Sequence, residues 1–227
     1  MKHWQYPAFG AVALLLGGFG ILADEVSEGS TFAFDQAILL SLRQPNDLAH
    51  PIGPAWLAEA ARDVTALGGV PVLSLVVLIA VLFLTLSHRR STAMLLAASV
   101  ASGAIVSTIL KFVFDRPRPD IPGVAHMVSA SFPSGHSALS AIVYLVLGVI
   151  LYDLSKDPTV RRAIIAVALV LSLCIGLTRI YLGVHYPSDV VAGWSLGGAW
   201  AILSILALGV VRKRYEIPTE GAGPPLR

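Results

Sequence analysis

Six long apolar stretches decide what this chain can become. A helix needs about 20 mostly apolar residues to cross a bilayer, and residues 7–23, 67–87, 92–114, 136–153, 161–180 and 189–211 approach or meet that length. In hydrocarbon no water satisfies the backbone amides, so such stretches must be helical. The expected fold is all-α, a six-span transmembrane helical bundle forming one membrane-embedded domain over residues 1–215. Composition agrees, because charged residues make up 13% of the chain against 56% apolar, whereas a soluble domain carries about 25% charged residues. Lys2 before the first stretch would also suit a secretory signal. However, Ile21-Leu22-Ala23 lacks the small-x-small cleavage pattern and Asp24-Glu25 follows at once, so a retained span is expected.

Basic residues orient the bundle. Lys2, Arg89-Arg90, Lys156 with Arg161-Arg162, and Arg212-Lys213-Arg214 fall on one side of a six-span arrangement. The segment 24–66 falls on the other, with Asp24, Glu25, Glu28, Asp35, Asp47, Glu59 and Asp63 against Arg43 and Arg62. The positive-inside rule then makes both termini cytoplasmic and turns loops 115–135 and 181–188 outward. Residues 32–43 have the apolar spacing of a short amphipathic helix, suited to the outer interface or to capping the bundle. Residues 216–227, rich in Pro and Gly, read as a disordered tail. The lone Cys174 reads as a buried apolar residue. Gly193 and Gly197 form a GxxxG pair, expected to pack within the bundle rather than to form a dimer. A net charge of +2 gives no reason to expect a nucleic-acid partner.

The exceptional polar residues collect at the outward ends of spans three to six. They are Lys111, Asp115, Arg116-Pro117-Arg118-Pro119 and Asp120; Phe132-Pro133-Ser134-Gly135-His136; Arg179; and His185-Tyr186-Pro187-Ser188-Asp189. Charges at membrane depth are costly and are usually kept for function. Each group also has a plainer reading. Lys111 could snorkel to the interface, Arg116 and Arg118 could contact headgroups, and Ser134 reads as a helix N-cap. The cap has chemical value too, since helix N-terminal amides bind anions and Gly135 permits close approach. An Asp carboxylate on one imidazole nitrogen would fix the tautomer and free the other nitrogen to attack. His185 and Asp189, four residues apart, suit that pairing.

Taken together, these residues resemble the type-2 phosphatidic acid phosphatase superfamily. That family's pattern is Lys-x6-Arg-Pro, Pro-Ser-Gly-His and Ser-Arg-x5-His-x3-Asp. Here it reads Lys111 to Arg118-Pro119, then Pro133-Ser134-Gly135-His136, then Arg179, His185 and Asp189, with Thr178 in place of the usual Ser. The resemblance implies a metal-independent membrane phosphatase without cofactor. His185 would be the nucleophile, forming a phosphohistidine; His136 the general acid and base; and Asp189 the group that orients His185. Lys111, Arg118, Ser134, Gly135 and Arg179 would hold the phosphoryl group, while Arg116 is left as a structural or headgroup-contacting residue. The implied substrate is a lipid phosphate or pyrophosphate of the outer leaflet of the cell membrane, such as phosphatidic acid, phosphatidylglycerol phosphate, undecaprenyl pyrophosphate or a lipid A phosphate. Passing the phosphohistidine to an acceptor other than water is the nearest alternative. A transporter would be expected to place its polar residues near midplane, and a non-catalytic lipid binder to have lost one of these residues.

Overall fold

The computed structural model describes residues 5–124 and 129–215, with side chains as far as residue 209. The expected disordered tail at 216–227 lies outside the described residues. Ten elements follow in order: α1 (Gln5–Glu28), α2 (Phe32–Ser41), β1 (Arg43–Gln44), β2 (Asp47–Pro51), α3 (Ala55–Ala66), α4 (Val70–Leu86), α5 (Arg90–Phe114), α6 (Gly135–Leu154), α7 (Pro158–Tyr181) and α8 (Pro187–Tyr215). The two strands make only a small antiparallel hairpin, so the fold is all-helical as expected.

Among the described residues, five helices are long and apolar enough to cross a membrane alone: α1, α5, α6, α7 and α8. The second expected span is different. Its helix α4 has 17 residues, and it makes a crossing only together with α3, from which it is bent by 44°. Gly68-Gly69 and Pro71 explain the break, since glycine ends one helix and proline starts the next. Helix α3 has no counterpart in the expected spans. It buries Ala58, Ala61 and Thr65, packs on α7, and leaves Glu59, Arg62 and Asp63 exposed.

Helix α6 is central and packs on α5, α7 and α8. Half of the apolar window of α6 and of α8 is buried, against 11% for α1, which lies along α8. Leu84, Leu96, Val146, Ile150, Ala201 and Leu208 form the largest apolar core. The α6–α8 seam depends on the GxxxG pair. A Cβ at Gly193 would come 2.6 Å from the Ser134 carbonyl oxygen, and one at Gly197 would come 2.4 Å from that of Ala138. Those glycines therefore let two backbones touch within the bundle.

Helix α2 forms where expected. It buries Asp35 and Leu39 on one side and exposes Phe32, Phe34 and Leu40. Its carboxylate points into the protein and its aromatic rings point out. That arrangement suits a helix lying in a membrane interface, where apolar groups seek lipid.

Candidate active site

Four helix ends and the segments between them build one site. Helix α5 carries Lys111 in its last turn and stops at Asp115, which adopts a left-handed conformation with φ 37°. Asp tolerates this region better than most residues. Pro117 and Pro119 then hold their neighbours extended, and the two arginines between them diverge. Arg116 turns into the protein and Arg118 turns to a cavity.

Helix α6 begins after Ser134, whose hydroxyl accepts from the Ser137 amide at 3.4 Å. The Ser134 amide donates to the Asp189 carbonyl at 2.9 Å, tying this start to that of α8. Helix α7 ends in a Schellman turn, with Gly183 N–H on Ile180 O at 2.9 Å and Val184 N–H on Arg179 O at 3.2 Å. The turn requires a left-handed residue, and Gly183 supplies it with φ 74°. His185 follows two residues later. Helix α8 then starts at Pro187, and Asp189 in its first turn accepts the Tyr186 amide at 2.9 Å. This is the reach-back half of a capping box, and the positive helix end favours its charge.

The imidazole of His185 is gripped on both nitrogens. Nδ1 lies 3.3 Å from Asp189 Oδ2 and 3.3 Å from the Ser131 hydroxyl. Nε2 lies 3.2 Å from Arg118 Nη1. Arg118 can only donate, so Nε2 presents its lone pair and Nδ1 carries the proton towards Asp189. Burial pushes the His185 pKa down to about 4, opposed by the Asp189 carboxylate and reinforced by Arg118 and Arg179. The ring is therefore neutral at ordinary pH.

His185 lines a cavity of about 300 Å³ together with Lys111, Arg118, Gly135, His136 and Arg179, among others. Lys111 donates to the Ala130 carbonyl at 2.6 Å. Arg118 donates to the carbonyls of Ser129 and Val184 at 2.7 Å and 2.8 Å. Arg179 donates to the Thr65 hydroxyl at 3.2 Å. Carbonyls and hydroxyls hold these side chains in place, and three cations around one cavity suit it to an anion.

Of the residues singled out from the sequence, Lys111, Arg118, Gly135, His136, Arg179 and His185 line this cavity, and Asp189 stands behind His185. Ser134 is buried behind the wall as the cap of α6, bonded to Ser137. Thr178, the one departure from the motif, donates to the Ile175 carbonyl within its own helix at 2.7 Å. Arg116 is structural. It is buried, bridges Asp35 at 2.8 Å and Asp189 at 2.6 Å, and stacks over the Tyr186 ring at 4.3 Å.

Sequence reasoning missed Ser131, whose hydroxyl donates to Asp189 Oδ2, and it missed Asp35 as a partner of Arg116. Ser131 lies two residues before the Pro-Ser-Gly-His motif, and the small polar run around it was its only signal.

Comparison with known proteins bears on the fold and the family. Residues 92–213 match the PAP2 superfamily. The chain is 31% identical over 186 residues to phosphatidylglycerophosphatase B of Bacillus subtilis (strain 168), covering 79% of this chain and 85% of that protein. It is 31% identical over 136 residues to lipid A 1-phosphatase of Rhizobium etli, covering 56% of this chain and 54% of that protein. Among solved structures, a transmembrane PAP2-type phosphatidylglycerolphosphate phosphatase from Bacillus subtilis superposes with a TM-score of 0.76 at 28% identity, over 91% of this chain and 98% of that one. The fold also resembles that of Aquifex aeolicus LpxE, with a TM-score of 0.56 over 77% of this chain and 94% of that one. The chain thus belongs to the PAP2 superfamily, in its membrane lipid phosphatase branch.

Proposed function

We propose that this protein hydrolyses the phosphomonoester or pyrophosphate of a membrane lipid on the extracytoplasmic face, through a phosphohistidine on His185 and without a metal. The observation that carries this reading is the His185 ring, set between Asp189 at Nδ1 and Arg118 at Nε2 and lining a cavity together with Lys111, Arg118 and Arg179. The cations would hold the phosphoryl oxygens, and phosphoryl transfer depends chiefly on such alignment and charge stabilisation. The Gly135 amide at the start of α6 would add a donor, with Ser134 acting through the cap that fixes that turn.

Two steps follow. His185 Nε2 attacks phosphorus, a P–N bond forms, and the P–O bond to the lipid breaks while His136 gives its proton to the leaving oxygen. In the second step His136 takes a proton from water, whose oxygen attacks phosphorus. The P–N bond breaks, inorganic phosphate leaves, and both histidines return to their starting state. Asp189 holds the Nδ1 proton throughout.

A lipid is favoured by where the cavity reaches. Val70 and Thr108 are both lining residues and both exposed on the flank of the bundle, at α4 and α5. An acyl tail could remain in the bilayer there while its phosphate reaches Nε2. Phosphatidic acid, phosphatidylglycerol phosphate, undecaprenyl pyrophosphate and lipid A phosphates all have this form. Orientation rests on the basic residues at the opposite end of the helices.

The test is phosphate release by purified protein from a panel of lipid phosphates in EDTA. Activity should survive chelation and fall on the order of 10⁴-fold or more in His185→Ala, as for loss of a covalent nucleophile. Full activity in that variant would end the phosphohistidine reading, and strict Mg²⁺ dependence would end the metal-free one. For orientation, a Gln44→Cys variant in a Cys174→Ser background should react with an impermeant maleimide in intact cells. Reaction only after permeabilisation would reverse the assigned face.

A further inference from the structure

We infer that Asp35, on the outward-lying helix α2 and outside every motif of the site, is a positioning residue for the nucleophile, acting through Arg116 on Asp189. This rests on the reading of His185 as the nucleophile.

Asp35 is 0% exposed, so an ionised carboxylate there needs full compensation. It receives it from two residues near the nucleophile. Oδ1 accepts the Ser188 amide at 2.9 Å, and Oδ2 accepts the Ser188 hydroxyl and, at 2.8 Å, Arg116 Nη2. The other arm of the same guanidinium, Nη1, donates to Asp189 Oδ1 at 2.6 Å and to the Ser188 hydroxyl at 2.8 Å. A guanidinium is a planar, rigid fork, so Arg116 fixes the spacing between the two carboxylates.

Asp189 is consequently bound on both oxygens. Oδ1 takes Arg116, while Oδ2 takes the Tyr186 amide, the Ser131 hydroxyl and His185 Nδ1. The carboxylate cannot turn away from the imidazole. Charge follows the same path. With Asp35 present, Arg116 divides its positive charge between two carboxylates, and Asp189 keeps negative charge to support His185 as it gains a phosphoryl group. Without Asp35, Arg116 would draw on Asp189 alone. The charged and titratable groups around His185 are Asp189 from α8, Arg118 after α5, Arg179 from α7, Lys111 from α5 and His136 from α6. Apart from His136, all of these groups but Asp189 are cations, so among the described residues the supply of negative charge through Asp189 has no substitute there.

A purely packing function for α2 makes a different prediction. Leu39, one turn beyond Asp35, is buried against Ile121, Ile180, Tyr186 and Val190 and seats the helix without charge. The experiment measures phosphate release from phosphatidic acid in detergent micelles between pH 4 and 9, alongside thermal unfolding. Asp35→Asn should lower kcat roughly 10- to 100-fold with little change in KM, as for outer groups that orient a histidine. The acid limb of kcat/KM should move to lower pH by about one unit, because Arg116 would then draw on Asp189 alone and leave less negative charge for His185. Arg116→Gln should also lower kcat but move the limb to higher pH. Asp35→Glu, which restores the charge, should recover part of kcat. Leu39→Ala should lower thermal stability and leave the limb in place.

The inference is overturned if Asp35→Asn keeps wild-type kcat, or if its kcat falls with an unmoved limb as in Leu39→Ala. If Asp35→Asn does not fold, the same decision passes to Arg116→Gln, where an unmoved limb is the overturning result. Retained activity in His185→Ala would instead remove the underlying reading. An inactive His185→Ala beside a wild-type Asp35→Asn removes only this inference.

Discussion

Two walls of the site, one on each side of His185, use the same residue types to opposite ends. Behind the ring, Asp35, Arg116 and Asp189 form a buried chain in which the cation meets carboxylates at 2.8 Å and 2.6 Å. In front of it, Lys111 and Arg118 meet, among the described residues, backbone carbonyls, a serine hydroxyl and His185 itself. Arg116 and Arg118 are two residues apart in one segment, yet one is neutralised and the other is not. Carboxylates satisfy a cation's charge as well as its hydrogen bonds, whereas carbonyls satisfy the hydrogen bonds and leave the field free to act on a ligand. The back wall therefore holds geometry and the front wall holds unspent charge.

The largest expected effect tests that division directly. Arg118→Ala should lower kcat/KM by roughly 10²- to 10³-fold, the size found on removing one donor from a preorganised anion site. Added guanidinium should restore part of the rate. Arg116→Ala, by contrast, should gain nothing from guanidinium, because its side chain fills a closed, packed position. Equal rescue of both variants by guanidinium would break the comparison, and rescue of Arg118→Ala alone would sharpen it.

A smaller effect concerns the ring between the walls. His185 has its pKa lowered from 6.5 to about 4, chiefly by burial. Between those values the unfolded chain binds more protons than the folded one, so stability rises with pH across that window. The contribution is complete above about pH 6.5 and is lost as pH falls towards 4, with an upper size on the order of 3 kcal/mol. Thermal unfolding in detergent should therefore weaken from pH 7 to pH 4.5, and His185→Gln should flatten that slope. A slope unchanged in the variant would mean that the front wall does not hold the imidazole neutral.

How far this division could be read in advance depended on distance along the chain. Lys111 to Arg118-Pro119, Ser134 to His136, and His185 to Asp189 are local patterns, and the helix ends that carry them follow from apolar length and from Ser134 as a cap. The back wall is not local. Asp35 lies 81 residues from Arg116 and 153 from Ser188, and in sequence it is one acid among several in an outward segment. The apolar spacing of 32–43 suits an interfacial helix, with Phe34 65% exposed and Asp35 0% exposed, but spacing alone does not say which distant residues a buried acid on its other face will meet. The bend at Gly68-Gly69 failed to register for a related reason. Helix α3 buries alanines and a threonine, and so small an apolar face barely rises above its charged neighbours Glu59, Arg62 and Asp63.

The smallest effect belongs to a third buried arginine, which fits neither wall cleanly. Arg43 is held by the Tyr181 carbonyl at the end of α7 and lies 3.3 Å from where a Cβ on Gly183 would stand. Its Nε has no hydrogen-bond partner among the described residues, and burial pushes its pKa down. The carbonyl end of a helix favours a cation, but a buried charge without a carboxylate gains little over an apolar side chain. Arg43→Met should thus change stability by less than about 1 kcal/mol, while loosening the Gly183 turn that delivers His185. We expect kcat to fall about 2- to 5-fold with KM unchanged, well short of the loss in Asp35→Asn. A loss as large as that of Asp35→Asn would extend the back wall to the α7 turn. A gain in stability with full activity would mean that the Schellman turn positions His185 unaided.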